Sequence, residues 1–139
     1  MSANPLTLSE GDELPVLHLE PGLGQVIRYC ALQWAFPAFF YDLEAAKAQG
    51  MPGTLVPGPY KVGLLYRAVD EWLGDAGWIR QVRAAHRRPD LTGRPIDIAG
   101  RVARVYEEDG AQRADLELAV INERGEPSVR GFAVVEFNR

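Results

Sequence analysis

The sequence predicts an α+β domain: one short strand, two or three helices, then four antiparallel strands. Three observations carry that expectation. Val62, Leu65, Tyr66, Val69, Trp72 and Leu73 recur at the spacing of one helical face. After them the period drops to two, with Ala114, Leu116, Leu118 and Val120 alternating with Asp115 and Glu117. A chain of 139 residues with 47% hydrophobic content can fill one core without staples, so residues 1–139 are read as a single domain.

The elements follow in order. Met1 to Ser9 reads as a loose lead-in. Gly11-Asp12 introduces an apolar segment, Leu14 to Leu19, expected as the first strand. Gln25 to Trp34 has Val26, Ile27, Cys30, Ala31 and Trp34 at helical spacing, and Pro37 interrupts it because proline lacks an amide donor. Asp42 is the expected N-cap of a helix over Leu43 to Gln49, with Gly50 as the residue that ends it. Met51 to Pro59 is rich in proline and glycine and reads as an irregular connection. Pro59 suits the first turn of the long helix, and Gly74 closes it. Strands are expected over Ile79 to His86, Ile96 to Tyr106, Ala114 to Ile121 and Val129 to Phe137. Ile96, Ile98, Gly100 and Val102 share one parity while Val105 takes the other, which predicts a bulge near Ala103. Leu91-Thr92-Gly93, Glu108-Asp109-Gly110 and Glu123-Arg124-Gly125 are the turns between strands.

Composition removes several classes of function. A formal net charge of -4 gives no electrostatic reason to expect nucleic acid. Cys30 is the single cysteine, so an intramolecular disulfide and a cysteine-based metal site are both out, and the residue reads as a small buried hydrophobe. No apolar run approaches the ~18 residues of a membrane span, and no targeting segment is apparent, so the cytoplasm is the expected location. No phosphate loop, paired-carboxylate site, Ser-His-Asp set or metal-ligand spacing is visible, and no cofactor is expected.

A series of short segments carries a resemblance. Glu10 to Pro15 (EGDELP) precedes the first strand. Trp34 to Asp42 (WAFPAFFYD) is followed by DLEAAKAQG, ending at Gly50. Gly58 to Leu65 (GPYKVGLL) opens the long helix, which Trp72-Leu73-Gly74-Asp75 closes. Arg87-Arg88-Pro89, with Gly93 four residues after the proline, forms a corner. In order and spacing these resemble the MaoC-like, (R)-specific enoyl-CoA hydratase/dehydratase family over most of residues 10 to 105. The resemblance implies a hot-dog fold, a curved antiparallel sheet of about five strands wrapped around a long central helix. It also implies a dimer of such chains and a coenzyme A thioester as substrate or ligand.

In that family the segment at 34–42 reads G-D-x-N-P-x-H-x-D, and its Asp and His move protons. With Asp42 held in register, Trp34 falls on the glycine, Ala35 on the acid and Phe40 on the histidine. Neither a methyl group nor a phenyl ring can donate or accept a proton. Pro57 replaces the histidine before the helix-opening glycine, and Lys61 stands at a threonine position. Gly58 keeps the backbone amides that polarise a thioester carbonyl in the family, although Pro59 removes one donor. Gly58-Pro59 as a plain helix-start turn is the competing explanation.

The candidate catalytic groups left are His86, Tyr41 and Asp42, against structural roles for each; for Asp42, capping suffices. Candidate substrate-binding residues are Phe36, Phe39, Phe40, Gly58, Tyr60, Lys61, Arg87 and Arg88. The aromatics equally suit core or subunit interface, and His18 reads as structural or exposed. Lys61 is expected in solvent. Arg80, Arg83, Arg87, Arg88, Arg94, Arg101 and Arg104 form either a solvated sheet face or a docking surface for coenzyme A phosphates. Three functions stay open. The chain is the substrate-accommodating half of a homodimeric or heteromeric hydratase with a second hot-dog chain, a self-sufficient hydratase with relocated acid and base, or a non-catalytic homodimer that binds an acyl thioester or apolar ligand. A thioesterase is disfavoured because no carboxylate heads the central helix.

Overall fold

The computed structural model describes residues 2–138. Its elements are β1 (Leu17–Leu19), α1 (Leu23–Leu32), a 3-10 turn (Ala38–Phe40), α2 (Leu43–Ala48), α3 (Gly58–Leu73), a second 3-10 turn (Gly74–Ala76), and strands β2 (Gly77–His86), β3 (Ile96–Glu108), β4 (Ala111–Asn122) and β5 (Pro127–Phe137). The strands form one antiparallel sheet in the order β1-β3-β4-β5-β2. The long α3 lies on its inner face, which gives the hot-dog arrangement expected above.

Leu64, Leu65, Ala68, Val69, Trp72 and Leu73 of α3 bury against Val102, Ala114, Leu116, Val120, Val129, Ala133 and Val135 of the sheet. The buried stripe therefore starts at Lys61 and runs through 64, 65 and 68. Val62 is half-buried and Tyr66 exposed, although hydropathy alone put both on that face. Gly74 takes φ 52° and ends the helix as expected. Cross-strand pairing sets Gly100, Leu118 and Gly131 in one row. A Cβ on Gly131 would lie 2.8 Å from Leu65 Cδ1, so glycine there lets the sheet close onto the helix.

The strands run longer than the sequence pattern implied. At the β3–β4 hairpin, Asp109 (φ 53°) and Gly110 (φ 72°) are both left-handed, so a two-residue turn closes the ladder directly onto Glu108 and Ala111. The expected bulge is present, with register shifting between Val102 and Arg104. The first strand is shorter than Leu14 to Leu19. Leu14 still donates to the Gly100 carbonyl at 2.9 Å, but Pro15 has no amide and breaks the run. The lead-in is not loose throughout: Ala3 is buried and its amide donates to the Trp72 carbonyl at 2.7 Å, while Met1 lies outside the described residues. Helix α1 sits two residues earlier than Gln25 to Trp34. Gln25 Oε1 accepts from the Gly22 amide at 2.9 Å at its start, and Trp34 leaves the helix at φ 52°, with the Ala35 amide donating to the Cys30 carbonyl at 2.9 Å. Cys30 is buried, and burial pushes its thiol above its ordinary value.

Candidate active site at the head of the central helix

The N-terminus of α3 is where the sequence-derived candidates meet. Pro57 precedes it without a side-chain cap, and Pro59 occupies the first turn. The first-turn amides of a helix have no intrahelical acceptor, so those at Gly58 and Tyr60 face outward. Two loops clamp this end. The Val56 amide donates to the Asp90 carbonyl at 2.8 Å, the Thr92 amide to the Thr54 carbonyl at 2.9 Å, and the Thr54 and Thr92 hydroxyls share a short hydrogen bond.

Lys61 corrects the expectation of a solvent-exposed side chain. It is 2% exposed, and its Nζ donates to Asp90 Oδ2 at 2.8 Å and to the Arg88 carbonyl at 3.1 Å. The reason is helical geometry: position 61 begins the stripe that faces the sheet, so its ammonium must find partners inside. Asp90, itself buried, was not singled out in the sequence. The signal that could have found it is a lysine on the buried face of an amphipathic helix, which demands a buried carboxylate.

His86 ends β2 on the inner face, opposite Val129. Its ring stands over Gly58: a Cβ built there would lie 3.1 Å from Cε1 and 3.2 Å from Nε2. Solvent reaches the rest of the ring. Partial burial, then the Lys61 ammonium nearby, hold the imidazole below its ordinary 6.5. Tyr60 packs its ring edge-to-face on Tyr29 of α1 at 5.2 Å between centroids.

The segment at 34–42 reaches this end through its backbone. The Leu55 amide donates to the Phe39 carbonyl at 3.3 Å, three residues before Gly58, and the Phe39 and Phe40 rings lie 4.5 Å apart. Ala35, Phe39 and Phe40 are half-buried. Phe36 is 61% exposed, so of the roles open to it the core of the single chain is removed while subunit interface and pocket wall stay open. Trp34, 79% exposed, stacks edge-to-face on Phe36. Its positive φ is the conformation that glycine fills most readily, which agrees with the register that puts Trp34 on the motif glycine.

Two of the candidate catalytic groups have structural partners. Asp42 Oδ1 accepts from the Ala45 amide at 3.0 Å and caps α2, and the Tyr41 hydroxyl donates to the Phe36 carbonyl at 2.8 Å. His86 is brought beside Gly58, Tyr60 and Lys61; Tyr41 and Asp42 belong to the neighbouring segment. His18 is exposed on β1 and pairs with Asp97 at 2.7 Å.

The arginine run divides. Arg80, Arg88, Arg94, Arg101 and Arg104 each face a carboxylate: Glu136, Glu126, Glu123, Glu117 and Asp115. Arg83 and Arg87 have none among the described residues. Among those residues no group of three or more His, Cys, Asp or Glu side chains could hold a metal ion. A concavity of about 720 Å³ lies elsewhere, on the outer face of the sheet, and another of about 500 Å³ lies beside Trp78 and Phe137; neither includes residues 35, 40, 58 or 86. Among the described residues, no helix is long and apolar enough to cross a membrane.

No protein-family model matches the chain, and no curated protein matches it. Solved structures do. The chain is similar to the ChsH1–ChsH2 complex from Mycobacterium tuberculosis, with TM-score 0.83 and 20% identity over 94% of this chain and 98% of that one. It is similar to the (R)-hydratase from A. caviae involved in PHA biosynthesis, with TM-score 0.87 and 20% identity over 95% and 98%. It is also similar to the C-terminally truncated HadBC (3R-hydroxyacyl-ACP dehydratase) complex from M. tuberculosis, with TM-score 0.75 and 18% identity over 91% and 96%. At such identities these likenesses establish the fold.

Proposed function

We propose that this chain is a MaoC-like hydratase/dehydratase subunit that has lost its own acid/base pair and forms the substrate-accommodating half of a dimer or heteromer with a second hot-dog chain. The observation that carries the reading is hydrocarbon at positions 35 and 40, in a segment tied to the head of α3. Two features support the register: the left-handed backbone of Trp34 at the motif's glycine position, and Asp42 capping the helix that follows. Two of the similar structures are complexes, ChsH1–ChsH2 and HadBC, which favours a second chain for this one. The bound molecule in this reading is an acyl thioester of coenzyme A, its acyl part against Phe36, Phe39 and Phe40 and its carbonyl at the Gly58 and Tyr60 amides. Free amides at a helix head stabilise negative charge developing on a carbonyl oxygen.

The test is turnover of crotonyl-CoA. The purified chain is expected to stay below the ordinary enzymatic range of about 1 to 1000 per second. The double substitution Ala35→Asp/Phe40→His, which returns both proton-moving groups, is expected to gain hydration. Wild-type turnover within that range sinks the reading.

His86 favours a second reading. Its imidazole stands at the head of α3 and is held neutral near pH 7, the state a general base requires. On this reading the chain is a self-sufficient hydratase whose proton carrier has moved from position 40 to position 86. Wild-type turnover abolished by His86→Ala would select it.

A further inference from the structure

One buried ion pair ties together the chain segments that meet at the head of α3. Lys61 is 2% exposed and Asp90 4%. The Lys61 ammonium uses two of its three protons, on Asp90 Oδ2 at 2.8 Å and on the Arg88 carbonyl at 3.1 Å. These contacts reach three stretches of chain at once. Arg88 lies two residues beyond His86, and the Asp90 carbonyl accepts from the Val56 amide two residues before Gly58. Lys61 stands three residues after Gly58, one turn along the same face of α3. The circuit so closed starts at Gly58 and returns to it, because the His86 ring lies on that glycine. A Cβ there would meet His86 Cε1 at 3.1 Å, Nε2 at 3.2 Å and Nδ1 at 3.4 Å. Among the described residues neither imidazole nitrogen is hydrogen-bonded, so the ring owes its place to packing and to how the end of β2 is held.

Stability does not account for this pair. Desolvating an ammonium and a carboxylate costs about as much as their attraction contributes, and apolar side chains of similar volume in their place are often neutral or better. An apolar contact holds no direction, whereas an ammonium donating to one carbonyl does. The two charges therefore fix geometry, and what they fix is the corner that follows His86. The ammonium acts on the imidazole at range as well: burial first, then Lys61, holds the ring below its ordinary 6.5. The other charged groups around the ring are accounted for. β5 presents Val129 opposite His86, Arg87 has the outward parity, Arg88 faces Glu126, and Asp90 is held by Lys61 itself.

We propose that the Lys61–Asp90 pair is the positioning device of this site, fixing the end of β2 so that His86 stands against Gly58, where its imidazole can serve a molecule bound at the head of α3. Both groups are buried, so they act through His86 and touch no such molecule. The inference deepens the second reading, in which His86 carries the proton, and rests on it for its chemical sense. The placement of the ring is tested without it.

The experiment is NMR of the isotopically labelled full chain. Wild type is expected to show a nuclear Overhauser cross-peak between His86 Hε1 and the Gly58 α-protons, with the imidazole titrating below 6.5. Lys61→Met/Asp90→Leu removes both charges and keeps apolar volume. It is expected to unfold at a urea concentration close to that of wild type, to lose most of the cross-peak and to titrate nearer 6.5. Lys61→Met alone is measured beside it, so that a double variant that fails to fold cannot hide the answer. A folded variant that keeps both the cross-peak and the titration of wild type overturns the proposal. A shifted titration with the cross-peak intact overturns it too, since Lys61 would then act as a distant charge and position nothing. Crotonyl-CoA turnover separates this inference from the reading beneath it. If wild type turns over, the double variant is expected to lose about tenfold to a hundredfold in kcat with KM little changed. No turnover by wild type, with the spectra as expected, removes His86 as a proton carrier and leaves the pair as the device that places it. Turnover that survives displacement of the ring does the same.

Discussion

The sheet with α3 and the segment from α1 to α2 treat their apolar residues in opposite ways. In the first, Leu65, Val69, Leu116, Val120, Val129 and Val135 are fully buried, and glycine at 131 lets helix and sheet meet without a gap. In the second, Leu23, Ile27, Leu32, Trp34, Phe36, Tyr41 and Leu43 all face outward, with Leu32 80% exposed. Soluble monomers rarely leave contiguous apolar patches beyond a few hundred Å², and three exposed aromatics, which bury ~150–250 Å² each when covered, reach that size. The sheet and α3 are a fold that completes itself. The other segment leaves its large apolar side chains to solvent in the single chain.

The largest effect is expected inside the self-completing region, at the clamp that holds the head of α3 to the loop between β2 and β3. Asp90→Ala leaves the Lys61 ammonium buried with the Arg88 carbonyl alone, and an uncompensated buried charge costs about 3–5 kcal/mol. Urea unfolding should show this loss, and Lys61→Met in the same chain should recover much of it by removing the orphaned charge. A loss below about 1 kcal/mol in Asp90→Ala would mean that water reaches the pair and that the clamp is a surface feature.

Asp42→Ala comes next, at about 1 kcal/mol for a lost helix cap. It separates capping from chemistry: stability should fall, while any activity of an assembled complex, assayed where the variant stays folded, should hold. A variant that keeps its unfolding midpoint and loses activity would return Asp42 to the list of proton carriers.

Smaller still are the effects of cutting back the exposed aromatics. Trp34→Gly trades relief of a left-handed backbone, worth about 1–2 kcal/mol, against loss of its contact with Phe36, about 0.5–1.5 kcal/mol. The stability of the lone chain should move by less than about 1 kcal/mol. Phe36→Ser should move it by less than about 0.5 kcal/mol, the usual range for surface changes, while lowering self-association in sedimentation. Losses of several kcal/mol in either variant would show that the aromatics pack within one chain, and the division between the regions would collapse.

The self-completing region was also the legible one. Periodicity located α3 and all four long strands, and the parity break placed the bulge near Ala103, because burial against one face imposes a repeat that hydropathy can read. Turn chemistry set the strand ends, which hydropathy cannot see: Asp109-Gly110 closes a two-residue hairpin and carries pairing to Glu108 and Ala111. Lys61 was misjudged because charge ordinarily means solvent, and its partner Asp90 lies 29 positions away where no local pattern joins them. The candidate site was legible as a resemblance and as absences at 35 and 40. Its geometry was not, since His86 and Gly58 meet through pairing of β2 with β5 and the packing of α3.

His86 stands at the head of α3, and its titration gives the smallest effect and the finest distinction. In the unfolded chain its imidazole takes a proton near 6.5, whereas in the folded chain burial and the Lys61 ammonium delay protonation to lower pH. Below 6.5 the unfolded state therefore holds more protons, so stability falls as pH drops through that value and the penalty levels off once the folded imidazole is also protonated. His86→Gln removes this contribution, so the gap between wild type and variant should shift against wild type from pH 7 to pH 5. Solvent reaches part of the ring in the lone chain, which keeps the effect small. A second chain laid over the head of α3 would exclude that solvent and enlarge it. The same titration repeated on an assembled complex thus reports whether the partner covers this end: a steeper pH dependence places the interface over His86, and an unchanged one places it elsewhere.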